Sequence, residues 1–144
     1  MKMGVAGLVL LGSLAVGTAG AADAPKPSPE AMAKAQDAYI AAINAKDLKA
    51  ILALYAEDAV VEDPAGSPPR RGKEIEAFYA GVVKGTPKLE IVTVNPSTGD
   101  SSAMYFQVKA GPVTIEVIDV MTFNAAGKIT TMRAYVKGPA APKP

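Results

Sequence analysis

Val113-Thr-Ile-Glu-Val-Ile-Asp-Val-Met-Thr-Phe123 alternates in side-chain character along its whole length. A strand turns successive side chains to opposite faces, so Val113, Ile115, Val117, Asp119, Met121 and Phe123 share one face, and Asp119 is its only polar member. The offset register would bury Ile118, Val120 and Thr122, a less apolar set. A carboxylate held in an apolar layer is costly when ionised. Without a cation beside it, desolvation raises its pKa and it keeps its proton. A neutral carboxylic acid is a hydrogen-bond donor.

Three further runs with period two flank this one: Lys88 to Asn95, Ala103 to Lys109, and Ile129 to Val136, separated by Pro, Gly and Asn turns. Strands this close in sequence predict an antiparallel meander. Upstream the spacing changes to three and four. Ser28-Pro29-Glu30 supplies an N-cap hydroxyl, a proline for the first turn and an acid on the helix dipole. The helix it starts is predicted to run to about Ala45, with Met32, Ala35, Tyr39, Ala42 and Ile43 facing inward. Asp47 caps a second, shorter helix through Leu48, Ile51, Leu52 and Tyr55. A short strand from Ala59 to Asp63 is closed by Pro64, a Pro/Gly loop runs from Ala65 to Arg71, and a third helix runs from Lys73 to about Val83, stopped by Gly85-Thr86-Pro87. Helices covering one face of a meander make an α+β domain.

The chain has 144 residues, 49% of them hydrophobic and 20% charged, which suits one globular domain. Its beginning has the pattern of a cleavable secretory signal peptide over residues 1–21: Lys2, the apolar run Val5 to Val16, and the small residues Ala19-Gly20-Ala21. A linker at 22–27, a domain at 28–138 and a flexible tail at 139–144 complete the division. Export to the periplasm follows as an expectation, with no membrane attachment after processing. Lys and Arg number 15 against 14 acidic residues, and Lys2 leaves with the leader. No global field points to nucleic acid or anionic membrane, so the expected partner is neutral. The sequence contains no Cys and no His, which removes thiolate chemistry and the commonest general base and metal ligand. Acid–base work falls to carboxylates, tyrosines or lysines, and no metal site or phosphate-binding glycine loop is legible.

Asp63 shares its strand face with Ala59 and Val61 and reads equally as a rim carboxylate or as a turn-capping aspartate before proline. Tyr39, Tyr55 and Tyr79 occupy core-facing positions of the three predicted helices, where phenols can hydrogen-bond in a chain or simply fill the core. Arg70-Arg71 and Lys73 read as a solvated basic cluster.

Two runs then become recognisable. The first is Leu54-Tyr-Ala-Glu-Asp-Ala-Val-Val-Glu-Asp-Pro64, continuing through Gly72 to Phe78-Tyr79. The second is Val117-Ile-Asp-Val-Met-Thr-Phe123, continuing through Gly127-Lys-Ile129 to Arg133-Ala-Tyr135. Together they resemble the steroid Δ-isomerases (ketosteroid isomerases) of the nuclear-transport-factor-2-like, SnoaL-like superfamily, continuously from about Tyr39 to Tyr135. The resemblance implies a cone-shaped domain, three helices packed on a curved, mostly antiparallel sheet, and a homodimer that buries sheet surface. It implies Asp63 as general base, with Tyr39 and protonated Asp119 as oxyanion-hole donors. Tyr55 and Tyr79 would buttress Tyr39, Met104 and Phe106 would line a pocket for a small apolar substrate, a steroid or similar cyclic ketone, and no cofactor would be needed. These isomerases are themselves the standard example of a carboxylic acid kept neutral by an apolar site, so the logic applied to Asp119 is shared with them.

Three departures stand out. Ala65 occupies a position where the family often has a bulky aromatic residue and Val136 replaces a tryptophan of some members, so the resemblance implies a wider pocket here, and the familiar isomerases are cytoplasmic. Two other readings stay open: a non-catalytic periplasmic binding protein for apolar ligands, and a lyase or cyclase of the same superfamily.

Overall fold

The computed structural model describes residues 25–85, 88–94 and 97–138. The expected signal peptide at 1–21, residues 22–24 of the expected linker, Thr86-Pro87, Asn95-Pro96 and the expected tail at 139–144 lie outside the described residues. Helix α1 spans Pro29–Asn44, α2 Leu48–Ala53 and α3 Lys73–Gly85. The strands are β1 Tyr55–Glu62, β2 Lys88–Val94, β3 Ser101–Ala110, β4 Val113–Phe123 and β5 Ile129–Lys137. They form one curved sheet in the order β1-β5-β4-β3-β2. The meander β2 to β5 is antiparallel, while β1 joins it parallel to β5.

Local chemistry sets the helix ends. The Ser28 hydroxyl accepts from the Ala31 N–H at 3.1 Å with Pro29 in the first turn, and the Asp47 carboxylate accepts from the Ala50 N–H at 2.9 Å. At the end of α1 the Asn44 amide donates to the Leu89 carbonyl and accepts from the Leu89 N–H, both at 2.8 Å, which fixes the helix against β2. The β4–β5 turn is built on Asn124, whose side-chain oxygen accepts from the N–H groups of Ala126 and Lys128, with Gly127 at φ +74°.

The core lies between the helices and the inner face of the sheet. Met32, Ile43 and Ile51 from the helices meet Met104, Met121 and Met132 from the strands. The β4 register is the one its alternation predicts: Val117, Asp119, Met121 and Phe123 are buried, although Val113 at the strand start is exposed.

The second helix ends earlier than predicted. Leu54 is its C-cap and Tyr55 is already in β1, so Tyr55 is a strand residue and not a helical one. Glu57 and Asp58 also lie within β1. The cause is an irregularity in the β1–β5 register between Tyr55 and Val60, which breaks the alternation by which a strand is recognised. Asp63 falls just beyond β1 and is joined to Pro64 by a cis peptide bond.

Candidate active site

A cavity of about 350 Å³ opens between α1, α3 and the inner face of the sheet, and Tyr39, Asp63, Tyr79 and Asp119 all line it. Four elements converge there. Tyr39 points inward from α1, Tyr79 from α3, Asp119 from the middle of β4, and Asp63 from the turn after β1. The remaining walls are apolar: Ile43, Leu89, Phe106, Ile115 and Val117 contribute, with Gly81 and Gly85 on the α3 side.

The two aspartates differ in environment. Asp119 is 1% exposed, beside Ala134 on β5 and Met104 on β3. Burial pushes its carboxyl well above the ordinary carboxylate range, and the charge of Asp63 pushes the same way, with the Tyr39 phenol opposing. Neither Asp119 oxygen has a hydrogen-bond partner among the described residues. Burial thus favours the neutral form of this carboxyl, and a neutral carboxyl has an O–H to donate into the cavity. Asp63 is only half-buried. Burial raises its carboxyl more modestly, and the Arg70 guanidinium works against the rise.

The three tyrosines form a directed chain. The Tyr79 hydroxyl donates to the Tyr39 oxygen at 3.2 Å, and Tyr55 and Tyr79 share a short hydroxyl–hydroxyl bond. Tyr79 has one proton and uses it on Tyr39, so Tyr55 must be the donor in the second bond. The hydrogen of Tyr39 is therefore left free to point into the cavity. All three phenols are pushed well above their ordinary value, chiefly by burial, so none ionises near neutrality. The Tyr39 and Tyr79 rings meet edge to face with centroids 6.1 Å apart, which holds the hydroxyls in line.

Three sequence-based expectations are corrected. Met104 is fully buried in the core behind the cavity and does not line it; on the same face of β3, Phe106 reaches the wall. Ala65 does not widen this cavity. It borders a separate depression of about 510 Å³ formed with Tyr105, Ile118 and Tyr135, whose side chains alternate to the outer sheet face, while Val136 touches both spaces. Arg70, read as a solvated cation, is partly buried and stacks over Phe78.

One buried polar pair also escaped the sequence reading: Gln36, fully enclosed on α1, accepts from the Ser102 hydroxyl at 3.3 Å. Its position three residues before Tyr39 and four after Met32 places it on the apolar face, which was the available signal. Among the described residues no three His, Cys, Asp or Glu side chains come together as a metal site.

Comparison with known proteins gives concordant results. Residues 37–132 match the model of the SnoaL-like domain family. A steroid Delta-isomerase of Nocardioides simplex is 41% identical over 102 residues, covering 67% of this chain and 82% of the relative. Among solved structures, the epoxide hydrolase/cyclase-like enzyme SalBIII, of pyran ring formation in the polyether salinomycin, superposes with a TM-score of 0.66 at 22% identity, covering 75% of this chain and 92% of that one.

Proposed function

The chain belongs to the SnoaL-like family, and from that premise we propose that it is an isomerase that moves a carbon–carbon double bond from the β,γ to the α,β position of a cyclic ketone, with a 3-oxo-Δ5-steroid as the substrate class. One observation carries the reading: an ionisable aspartate, a protonated aspartic acid and a tyrosine with a free hydroxyl hydrogen face one apolar cavity.

In this mechanism the Asp63 carboxylate removes the proton from the carbon between the ketone and the double bond. The electron pair of that C–H bond becomes the π bond between that carbon and the carbonyl carbon of a dienolate, and the carbonyl π pair moves onto the oxygen, which gains negative charge. Tyr39 and Asp119 each donate a hydrogen bond to that oxygen, in a cavity whose apolar walls strengthen both bonds. Asp63 then returns the same proton two carbons further on, the oxygen's electron pair restores the C=O bond, the double bond moves to the α,β position, and the conjugated enone forms. Nothing is oxidised or reduced overall. A positioned base contributes roughly 10² to 10⁴-fold and each oxyanion donor roughly 10² to 10³-fold.

The deciding experiment is the ultraviolet assay for conjugated enone formation from a 3-oxo-Δ5-steroid. Turnover by the wild type that collapses in Asp63→Asn supports the isomerase. Tight steroid binding at the background rate in both proteins would make the chain a binding protein for apolar ligands.

The same proposal extends to assembly and location. The outer sheet face exposes Ile118 and Tyr135, 42% and 52% accessible, which supports a homodimer closed through that face. Tyr135→Asp should then run as a monomer in sedimentation while the wild type does not. The leader at 1–21 supports export to the periplasm, checked by fractionation and by the N-terminal residue of the recovered protein.

A further inference from the structure

Arg70 sits where the loop after Pro64 returns to the sheet. Its N–H donates to the Val61 carbonyl at 2.9 Å and its carbonyl accepts from the Val61 N–H at 3.1 Å, so the loop is bridged to β1 two residues before Asp63. The guanidinium then reaches the Asp63 main-chain carbonyl, Nη1 to oxygen 3.0 Å. Its carbon lies 4.6 Å from the centroid of Phe78, whose ring is part of the cavity wall. Phe78 and Arg70 also border a depression on the outside with Pro69 and Glu74, so the ring separates the guanidinium from the cavity.

We propose that Arg70 is the positioning residue of the base: it fixes the main chain at Asp63 and holds one positive charge behind the carboxylate, outside the substrate space. The proposal rests on Asp63 being the base. Three features support it. The hydrogen bond goes to the carbonyl, so the carboxylate keeps its lone pairs for the migrating proton. The stacked ring fixes the direction of the guanidinium, which a lysine could not reproduce. Among the described residues no Lys or Arg lines the cavity, so no cation of theirs competes there for the carboxylate.

The other groups around Asp63 do not supply this charge. Tyr39, Tyr79 and Asp119 face it across the cavity as neutral groups, and Tyr55 lies one hydroxyl further back. Glu62 turns outward to Arg133 at 3.1 Å, and Glu74 accepts from the Arg71 N–H at 3.2 Å. Burial drives the Asp63 carboxyl upward and Arg70 is the group that restrains it.

The test is a carboxyl ¹³C NMR titration of Asp63 in the whole chain, beside the pH profile of kcat/KM on a 3-oxo-Δ5-steroid, for the wild type, Arg70→Met and Arg70→Lys. Arg70→Met should move the Asp63 midpoint and the acid limb of the profile upward together by about one pH unit, with KM little changed, the low end of what a nearby opposite charge contributes. Arg70→Lys should keep the midpoint near that of the wild type and lower kcat several-fold, because the charge remains and the stacked fork does not. An unmoved midpoint in a folded Arg70→Met overturns the proposal. If that variant does not fold, Arg70→Lys decides, and a kcat equal to the wild type overturns it. An Asp63→Asn enzyme with full turnover would instead overturn the base assignment, and this proposal with it. Inactive Asp63→Asn beside an unshifted Arg70→Met removes only the role of Arg70.

Discussion

The turn after β1 and the middle of β4 each deliver one aspartate to the same cavity, and the two backbones make them different chemical groups. Asp119 is held by an uninterrupted strand with paired neighbours on both sides, so its side chain cannot leave the apolar layer. Asp63 has left its strand, lies half-exposed and has a guanidinium near it. In the proposed mechanism the strand supplies the acid and the turn supplies the base. Desolvation alone would raise both carboxyls, so the separation comes from its unequal depth and from Arg70.

That contrast breaks most visibly at Asp63. Asp63→Asn should lose roughly 10² to 10⁴-fold in kcat with ligand binding retained, measured by turnover and by steroid titration. An effect no larger than that of Asp119→Asn would mean that the turn carries no special role.

Asp119 sharpens the contrast through two variants. Asp119→Ala removes a donor and should cost roughly 10² to 10³-fold, whereas Asp119→Asn keeps an N–H donor and should cost less. Stability should move the other way. A carboxyl raised in the folded state stabilises fully below its unfolded value of about 3.9, and that contribution is lost as pH rises through the folded pKa. Asp119→Asn, with nothing to titrate, should flatten the fall of melting temperature between acidic and neutral pH. A slope equal to that of the wild type would show Asp119 ionised in the fold.

The smallest effect lies one hydroxyl away. Tyr79→Phe removes the donor to Tyr39 and the acceptor of Tyr55, and one net hydrogen bond of about 1 kcal/mol corresponds to roughly fivefold in kcat. A loss as large as that of Asp119→Ala would make the phenol chain, and not the strand aspartate, the main stabiliser of the oxyanion.

Legibility followed regularity. The β4 alternation runs unbroken, and its one polar inward residue was identifiable from the sequence. The Ser28 and Asp47 caps were equally plain, because capping is a local bond between residues three apart. Tyr55 was misplaced because its spacing from Leu48, Ile51 and Leu52 is helical while its backbone is already extended, and the irregularity that follows hides the strand. Arg70 could not be read at all. A loop has no period, and the stacking of Arg70 on Phe78 exists only after α3 has folded back over β1. Met104 and Phe106 share a strand face, so sequence could not say which of them meets the cavity and which the core.

The clasp between Asn44 and Leu89 also bears on how this molecule behaves in a crowd. A β-sheet with an open border is a template on which another chain can crystallise its own strand. Here the amide of Asn44 already occupies both main-chain groups of Leu89 on one border, and the main chain of Arg70 occupies both of Val61 on the other. An incoming strand meets saturated groups at each margin, so polymerisation through the sheet has no ready seed at these two places.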